Sequence, residues 1–293
     1  MRGRCLLGAL LMATAPLADR LAVAAEGQAM TGLVLSVDSS NRRFVVSHDA
    51  VPGVMPAMAM SFDVRDPKEL EGVEPGMMVD FTLVLAADAA WAEQIRVRVY
   101  KAAERDPLVA ERLARLKAMI ERAPPVPPVK AGEAVPDFTL VDQVRQPVTL
   151  SSLRGRVVVV NFVYTSCALP QFCFRMANHF GVIQRRFGAL MGTDLVLLTV
   201  TFDPARDQPE RLAEYAMQWN ADPRTWHFLT GEAHDVGRVC SLFGVQAFGE
   251  EGLVNHSTRT AVIDRQGRLV VNIEGNEYTT AQLADFVDTV IRQ

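Results

Sequence analysis

The sequence is poor in cysteine, in basic runs and in glycine-rich loops, and each shortage argues against a class of protein. Four cysteines in 293 residues are too few for a disulfide scaffold. Lys and Arg number 30 against 34 Asp and Glu, a net charge of −4 without a long basic run, which argues against nucleic acid as a partner. The chain also lacks a glycine-rich loop of the phosphate-binding kind.

Apolar residues, in contrast, are plentiful enough for packed cores. Hydrophobic residues make up 49% of the chain and charged residues 22%, with a mean hydropathy of +0.11. A chain of this composition is expected to fold rather than remain disordered. Its 293 residues suggest two domains, at about 150 residues each.

The first 24 residues read as an export signal. Arg2 and Arg4 precede an uncharged, mostly apolar run, Cys5–Ala18, and small residues at 22–24 form a candidate cleavage site. This run is shorter than the roughly 20 residues that span a bilayer, so membrane attachment would require an uncleaved signal. We therefore predict a periplasmic or otherwise exported protein whose mature form keeps three cysteines.

Short alternating segments follow the signal, from residue 28 to residue 100. Apolar and polar residues alternate with the period of two that is typical of half-buried strands, and turn residues separate the segments. The pattern predicts a small all-β domain, an OB-like barrel of five strands. The predicted strands are Thr31–Val37, Arg43–Ser47, Met58–Val64, Met77–Leu85 and Ile95–Val99.

The rest of the chain divides into a connecting segment and an α/β region. Residues 101–132 are predicted to hold one amphipathic helix, starting at Asp106-Pro107, and a stiff proline-rich linker. In residues 133–293 predicted strands and helices alternate, which indicates an α/β domain. The predicted strands there are Val157–Val163, Leu195–Phe202, Trp226–Thr230, Thr260–Asp264 and Leu269–Ile273, and the predicted helices are about Phe174–Phe187, Pro209–Trp219, Asp235–Phe243 and Thr280–Ile291.

Two cysteines fall where the first buried strand of the α/β region gives way to a helix. Cys167 follows the strand, and Cys173 stands where the helix is predicted to begin. Strand-to-helix crevices hold ligands in α/β folds, and a helix amino terminus lowers the pKa of a thiol. Two neighbouring thiolates suit two chemistries, reversible disulfide exchange or binding of a soft metal ion.

The segments around these cysteines resemble the Sco/SenC family of thioredoxin-fold copper proteins, over residues 135–292. The matching segments are Val135-Pro-Asp-Phe-Thr139, Asn161-Phe-Val-Tyr-Thr-Ser-Cys167, Asp203-Pro-Ala-Arg-Asp207, Phe243-Gly-Val245 and Asn255-His-Ser-Thr258. The resemblance implies a thioredoxin-like fold and copper held by Cys167, Cys173 and His256. It also implies a role in assembling the copper centre of cytochrome c oxidase, with an oxidase subunit as the acceptor.

The cysteine spacing departs from that family, which separates the pair by three residues, whereas five intervene here. We expect Ala168–Gln171 to form a loop that returns Cys167 to Cys173, with the helix starting after it. The competing interpretation is a structural Cys167–Cys173 disulfide with His256 as a surface residue. Cys240 is expected to be a small buried hydrophobic residue.

A second group of soft ligands lies in the β region, between His48 and Met60. Met58 and Met60 are two residues apart and would share one face of a strand, with His48 and Met55 arriving from the preceding loop. Thioether sulfur is soft and uncharged, so the group suits Cu(I). Phe62 continues the same face, so burial of both methionines in the core is the competing interpretation.

This segment resembles the CusF-type periplasmic copper-binding domains, which are small β-barrels, over residues 30–99. His48, Met58 and Met60 stand at the three ligand positions of that family. Met55 stands where the family has a tryptophan over the metal, and we count it as a fourth candidate ligand. Sequence alone leaves open whether Trp91 approaches this site.

These patterns together predict an exported copper metallochaperone with two sites, with Cu(I) at the first and Cu(I) or Cu(II) at the second. The alternative is a thiol-disulfide oxidoreductase that reduces a copper-site partner, with Cys167 as the attacking and Cys173 as the resolving thiol. Whether the protein is an enzyme stays open between the two. A peroxidase is disfavoured because the chain lacks a Pro-x3-Thr-x2-Cys motif.

Overall fold

The computed structural model describes residues 26–86, 89–98, 126–167, 170–245, 247–250, 253–256 and 258–293. The predicted signal peptide, residues 1–24, and the predicted helix after Asp106 lie outside these ranges. Within them, no helix has the length and apolar character needed to cross a membrane.

Residues 26–98, called the β unit below, form one antiparallel sheet. Its strands are β1 (Glu26–Asp38), β2 (Arg43–His48), β3 (Met58–Asp63), β4 (Met78–Leu85) and β5 (Ala90–Val97). The sheet order is β3-β2-β1-β4-β5. A single bridge between Val64 and Ala92 brings the two edge strands together. The prediction of five strands in a small all-β unit is confirmed.

The last strand starts earlier than its alternation pattern predicted. The strand begins at Ala90 rather than at Ile95, and its first residues include the buried residues Trp91 and Ala92. Gln94 has a φ of 56°, and the register with β4 shifts beside it. Such an irregularity resets which face each residue occupies, so a strict period of two fails across it.

Residues 126–293, called the α/β unit below, are built on a second five-stranded sheet. The strands of the whole unit, which include two separate hairpins, are β6 (Thr139–Val141), β7 (Pro147–Thr149), β8 (Val157–Val163), β9 (Leu195–Thr201), β10 (Trp226–Leu229), β11 (Ala247–Glu250), β12 (Leu253–His256), β13 (Arg259–Ile263) and β14 (Leu269–Glu274). Its helices are α1 (Arg175–Arg186), α2 (Pro209–Gln218), α3 (Ala233–Leu242) and α4 (Thr280–Ile291). The central order is β10-β9-β8-β13-β14.

Strand direction in this sheet confirms the predicted thioredoxin-like fold. Strands β8, β9 and β10 are parallel, while β13 runs antiparallel to β8. Every residue of β8 and β9 is buried, as expected for central strands covered on both faces. The hairpins β6-β7 and β11-β12 were not predicted, because strands of three or four residues carry too little periodicity to be recognised.

The two units pack directly against each other. Helix α4 lies on β1 and β2, and Leu33, Leu35 and Met78 of the β unit join the same apolar core as the α/β unit. Gly76, with a φ of +87°, brings its backbone so close to Val271 that a Cβ there would collide with Cγ2 of that valine. The β unit therefore depends on a close backbone approach at this position.

Alanine variants of Gly72 and Gly76 distinguish the effect of this contact on stability from the effect of backbone strain. Gly72 has a φ of +73° but has open space where a Cβ would be. We expect Gly72→Ala to lower the free energy of unfolding by about 1–2 kcal/mol through strain alone. Gly76→Ala should cost about 1–3 kcal/mol more, because the new methyl group displaces Val271. Urea denaturation of both variants measures the difference, and equal losses would contradict the packing described here.

Candidate metal sites

The chain around Cys167 is held by a buried carboxylate. The Thr165 backbone N–H and its hydroxyl donate to Asp207 at 3.1 and 2.6 Å, and the Thr201 hydroxyl donates to the same carboxylate at 2.6 Å. Burial raises the pKa of Asp207, against the hydrogen bonds that lower it. Cys167 itself is half-buried, two residues beyond Thr165. Asp207 therefore fixes the position of the loop that carries this thiol.

Cys173 lies in a π-helical turn, Pro170–Phe174, that leads directly into α1. The expected loop ending before the helix is thus wrong for Pro170 and Gln171, because helical winding already begins at the proline. A proline suits the first position of a helix, where its missing N–H has no partner to lose. The side chain of Cys173 is buried. Single π turns inside helices occur often at functional sites.

Both cysteines affect the pKa of one buried tyrosine, Tyr215, which the sequence did not identify as part of the site. Burial raises the pKa of Tyr215, and negative charge on Cys173 and then Cys167 raises it further. Both thiols therefore interact electrostatically with the same hydroxyl group. Tyr215 belongs to the buried face of α2, and in the sequence it reads as an ordinary core residue.

The topology brings the His256 segment to the same edge of the sheet as Cys167. His256 ends β12, paired with Ala247. Three residues later β13 begins, and its Thr260 pairs with Asn161 of β8 in an antiparallel register. The start of β13 therefore lies beside the end of β8, from which the chain continues to Cys167. The imidazole of His256 lies outside the described part of the structure.

No cluster of three or more His, Cys, Asp and Glu side chains arranged for a metal occurs in the described part of the chain. Neither predicted site would form such a cluster, because the first includes methionine sulfur and the second includes the imidazole of His256, which is not described. The ligand sets therefore remain predictions.

His48 ends β2 with its ring buried and one ring nitrogen without a partner. The side chain is 1% exposed and packs edge-on against Phe62, with the ring centroids 5.9 Å apart. Its Nδ1 lies 2.7 Å from the carbonyl oxygen of Asp49, so an Nδ1–H donates there. Among the described residues, no group makes a hydrogen bond to Nε2. This tautomer leaves a lone pair on a buried Nε2, the form in which a histidine binds a metal.

The methionines flank this imidazole across the β2-β3 pair. Met58 pairs with His48 and Met60 with Val46, so all four side chains share one face. Met58 is 47% exposed, whereas Phe62 further along that face is 3% exposed. Core packing is therefore wrong for Met58, while Met60 and Met55 are half-buried against the core of the β unit.

Trp91 interacts with Arg65 and Glu93. The guanidinium carbon of Arg65 lies 3.2 Å from the centroid of its ring, and its indole N–H donates to Glu93 at 3.1 Å. This cation–π contact occupies one face of the ring. Met55 remains the residue at the tryptophan position of the CusF pattern. It is held by a turn in which Val51 and Met55 exchange backbone hydrogen bonds of 2.9 and 3.1 Å.

Cys240 is a small buried hydrophobic residue, as predicted. It is fully buried in α3, and burial raises its pKa to about 12. His179, in α1, is also buried: desolvation lowers its pKa to about 4, and its Nδ1 lies 2.6 Å from the Thr280 hydroxyl. Neither residue belongs to the predicted sites.

Comparison with known proteins assigns the family. The SCO1/SenC family matches residues 127–292, and the family described as copper binding periplasmic protein CusF matches residues 27–97. The chain belongs to the SCO1/SenC family and carries an N-terminal CusF-like copper-binding domain. It is therefore a copper-binding protein.

Individual relatives match about half of the chain. An SCO2-like protein of Rickettsia typhi is 30% identical, over 48% of this chain and 69% of the relative. The SCO1 homologue of Bacillus subtilis is 26% identical, over 50% of this chain and 76% of the relative. The copper-bound crystal structure of Arabidopsis thaliana ScoI is 23% identical, over 55% of this chain and 99% of that one, with a TM-score of 0.47.

The raised pKa of Cys240 predicts that its thiol is inert in the folded protein. With a pKa of about 12, only about one thiol in ten thousand is ionised at pH 8, and iodoacetamide reacts with the thiolate. Peptide mapping after brief alkylation should find Cys240 unmodified in native protein and modified in urea, where the pKa returns to about 8.5. Equal modification in both conditions would contradict the burial.

Proposed function

We propose that this protein is an exported copper metallochaperone with two copper sites, one in each unit. The observation that carries the proposal is the buried Nε2 of His48, which has no partner among the described residues. Leaving a buried polar atom unsatisfied costs about 1–3 kcal/mol, and a bound metal ion would remove that cost. The two domains are taken as residues 28–100 and 133–293, joined by the segment 101–132.

In the first site, His48 Nε2, Met58 and Met60 bind Cu(I), with Met55 as a fourth candidate ligand. The hydrogen bond from Nδ1 to the Asp49 carbonyl supports this role because it holds the ring in the metal-binding tautomer. The exposure of Met58 supports it too, since a thioether at the surface can meet incoming copper. Soft, neutral ligands favour Cu(I) over ions that prefer oxygen.

In the second site, Cys167, Cys173 and His256 bind copper as Cu(I) or Cu(II). Two observations support this ligand set. Both cysteines interact electrostatically with the Tyr215 hydroxyl, and the His256 segment enters at the sheet edge where Cys167 leaves. Thiolates and an imidazole form a donor set suited to copper.

The two sites in one chain suggest copper transfer from the first to the second. A tether raises the effective concentration of one site near the other, to the order of millimolar for short flexible linkers. The final acceptor is a copper-site protein, for which a cytochrome c oxidase subunit is the leading candidate. The working location is the periplasm or another exported compartment, after removal of the signal.

A thiol-disulfide oxidoreductase is the second candidate function, and one observation favours it. Cys167 is half-buried while Cys173 is buried, as expected of an attacking and a resolving thiol. The Cys167 thiolate would attack a partner disulfide and form a mixed disulfide. Cys173 would then displace the reduced partner, leaving a Cys167–Cys173 disulfide.

Copper stoichiometry tests the two-site proposal. We expect reduced mature protein to bind about two Cu(I) per chain, because each donor set holds one soft ion. The Cys167→Ser, Cys173→Ser variant should bind about one, and His48→Ala should also bind about one. Cys240→Ser is the matched control and should keep both ions. A double cysteine variant that still binds two would remove Cys167 and Cys173 from the second site.

The His256→Ala variant distinguishes the two candidate functions. If His256 is a copper ligand, the variant should lose copper affinity at the second site by tenfold or more while its thiols still exchange with a model disulfide. Copper titration in a His48→Ala background and stopped-flow disulfide exchange measure the two properties separately. Unchanged copper affinity would remove His256 from the site and favour the oxidoreductase.

A further inference from the structure

The α/β unit reaches across to the residues on either side of His48. Gln282, on α4, donates from Nε2 to the carbonyl oxygen of Ser47 at 3.0 Å and to the Asp49 carboxylate at 3.3 Å. Ser47 donates from its hydroxyl to Asp285, also on α4, at 2.8 Å. Gln282 and Ser47 are 1% and 2% exposed, so these contacts are buried between the units.

Both α4 side chains are held in place by the α/β unit itself. The Oε1 of Gln282 accepts a 2.6 Å hydrogen bond from the Thr279 N–H, as half of the capping box that starts α4. This fixes the orientation of the amide, so its NH₂ group must point toward Ser47 and Asp49. Asp285 accepts a second hydrogen bond, at 2.8 Å, from Arg186 at the end of α1. The contacts are thus made by preorganised groups.

Ser47 and Asp49, the residues that α4 contacts, flank His48, and Asp49 also sets the tautomer of the His48 ring. The Asp49 carbonyl accepts the Nδ1 hydrogen, and the peptide that bears it directly follows the two Gln282 contacts, which are to the Ser47 carbonyl and the Asp49 carboxylate. If this peptide turned away, Nδ1 would lose its acceptor and the ring could place its proton on Nε2 instead. A protonated Nε2 cannot bind copper.

We propose that Gln282 and Asp285 are positioning residues for the first copper site, so that docking of the α/β unit completes a site whose ligands all belong to the β unit. This inference rests on the proposed function of His48 as a ligand. Its consequence is that copper binding at His48 and docking of the two units strengthen each other, since linkage between binding and docking is reciprocal.

The test substitutes Gln282 by Glu in full-length mature protein. Glutamate keeps the acceptor that caps α4, but it replaces the donor facing Ser47 and Asp49 with a carboxylate oxygen. The measurement is made in a Cys167→Ser, Cys173→Ser background, which removes the proposed second site, so the Cu(I) affinity measured is that of the first site. Competition with a Cu(I) chelator should then give an affinity about tenfold weaker than in the parent, the size of effect that outer partners of metal ligands have.

A spectroscopic measurement separates positioning from general destabilisation. In the copper-free parent, the ¹⁵N shifts of the His48 ring should report a single tautomer with the proton on Nδ1. Gln282→Glu should give a mixture of tautomers at the same pH and temperature. Asp288→Asn is the matched control, because Asp288 is on the same helix but pairs with Arg292 at 2.8 Å. It should change neither the shifts nor the affinity.

Two further variants make the outcome decisive. Ser47→Ala removes the hydrogen bond to Asp285 from the other unit and should weaken Cu(I) binding in the same direction, so it carries the test if Gln282→Glu does not fold. His48→Ala in the same background tests the ligand itself, and unchanged copper affinity there would overturn the proposed function. Lost affinity in His48→Ala, with affinity within twofold of the parent in both Gln282→Glu and Ser47→Ala, would overturn the positioning role alone.

Discussion

The antiparallel pairing of β13 with β8 is the constraint on which the proposed second copper site depends. It joins Thr260 to Asn161 and continues to Ile263 and Val158, in the fully buried centre of the sheet. Because the strands run in opposite directions, the segment that carries His256 enters where the segment that carries Cys167 leaves. Residues almost ninety positions apart in sequence are thereby brought to one edge. Asp207 and the π turn at Cys173 then set the local path of each cysteine.

The two proposed copper sites differ in which unit supplies their residues. The second site draws all its predicted ligands from the α/β unit, but the first draws its ligands from the β unit and its outer contacts from α4. Helix α4 in turn packs against α1, which begins directly after the π turn at Cys173. The packed helices α1 and α4 therefore contact the surroundings of both proposed sites.

The parts of this structure that the sequence predicted are those that strong local patterns specify. The mostly apolar run Val157–Val163 forms a central strand with the predicted bounds, and the capped helix Thr280–Ile291 also has the predicted bounds. The irregular parts were missed: the bulge near Gln94, the π turn from Pro170 and the hairpin ending at His256. Each departs from a regular period or is too short to have one.

Of the candidate sites, sequence predicted which residues could be ligands better than it predicted their surroundings. The spacing of Met58 and Met60 placed them on one face of a strand, as the cross-strand register has it, but His48, expected in the preceding loop, ends β2. Burial of Nε2 and exposure of Met58 could not be read from spacing, since they depend on the other strands. The positioning role that we propose for Gln282 could not be predicted from sequence, because its partner Ser47 is 235 residues away and its sequence context indicates only a helix cap.

X-ray absorption spectroscopy on a chain with the first site removed, by His48→Ala and Met58→Leu, tests the central claim most directly. Loaded with one equivalent of Cu(I), this protein should give a first shell of two sulfur neighbours and one nitrogen neighbour. Adding His256→Ala should remove the nitrogen neighbour and leave both sulfurs. Identical spectra with and without His256 would contradict the claim that the β8-β13 pairing gathers Cys167, Cys173 and His256 around one copper ion.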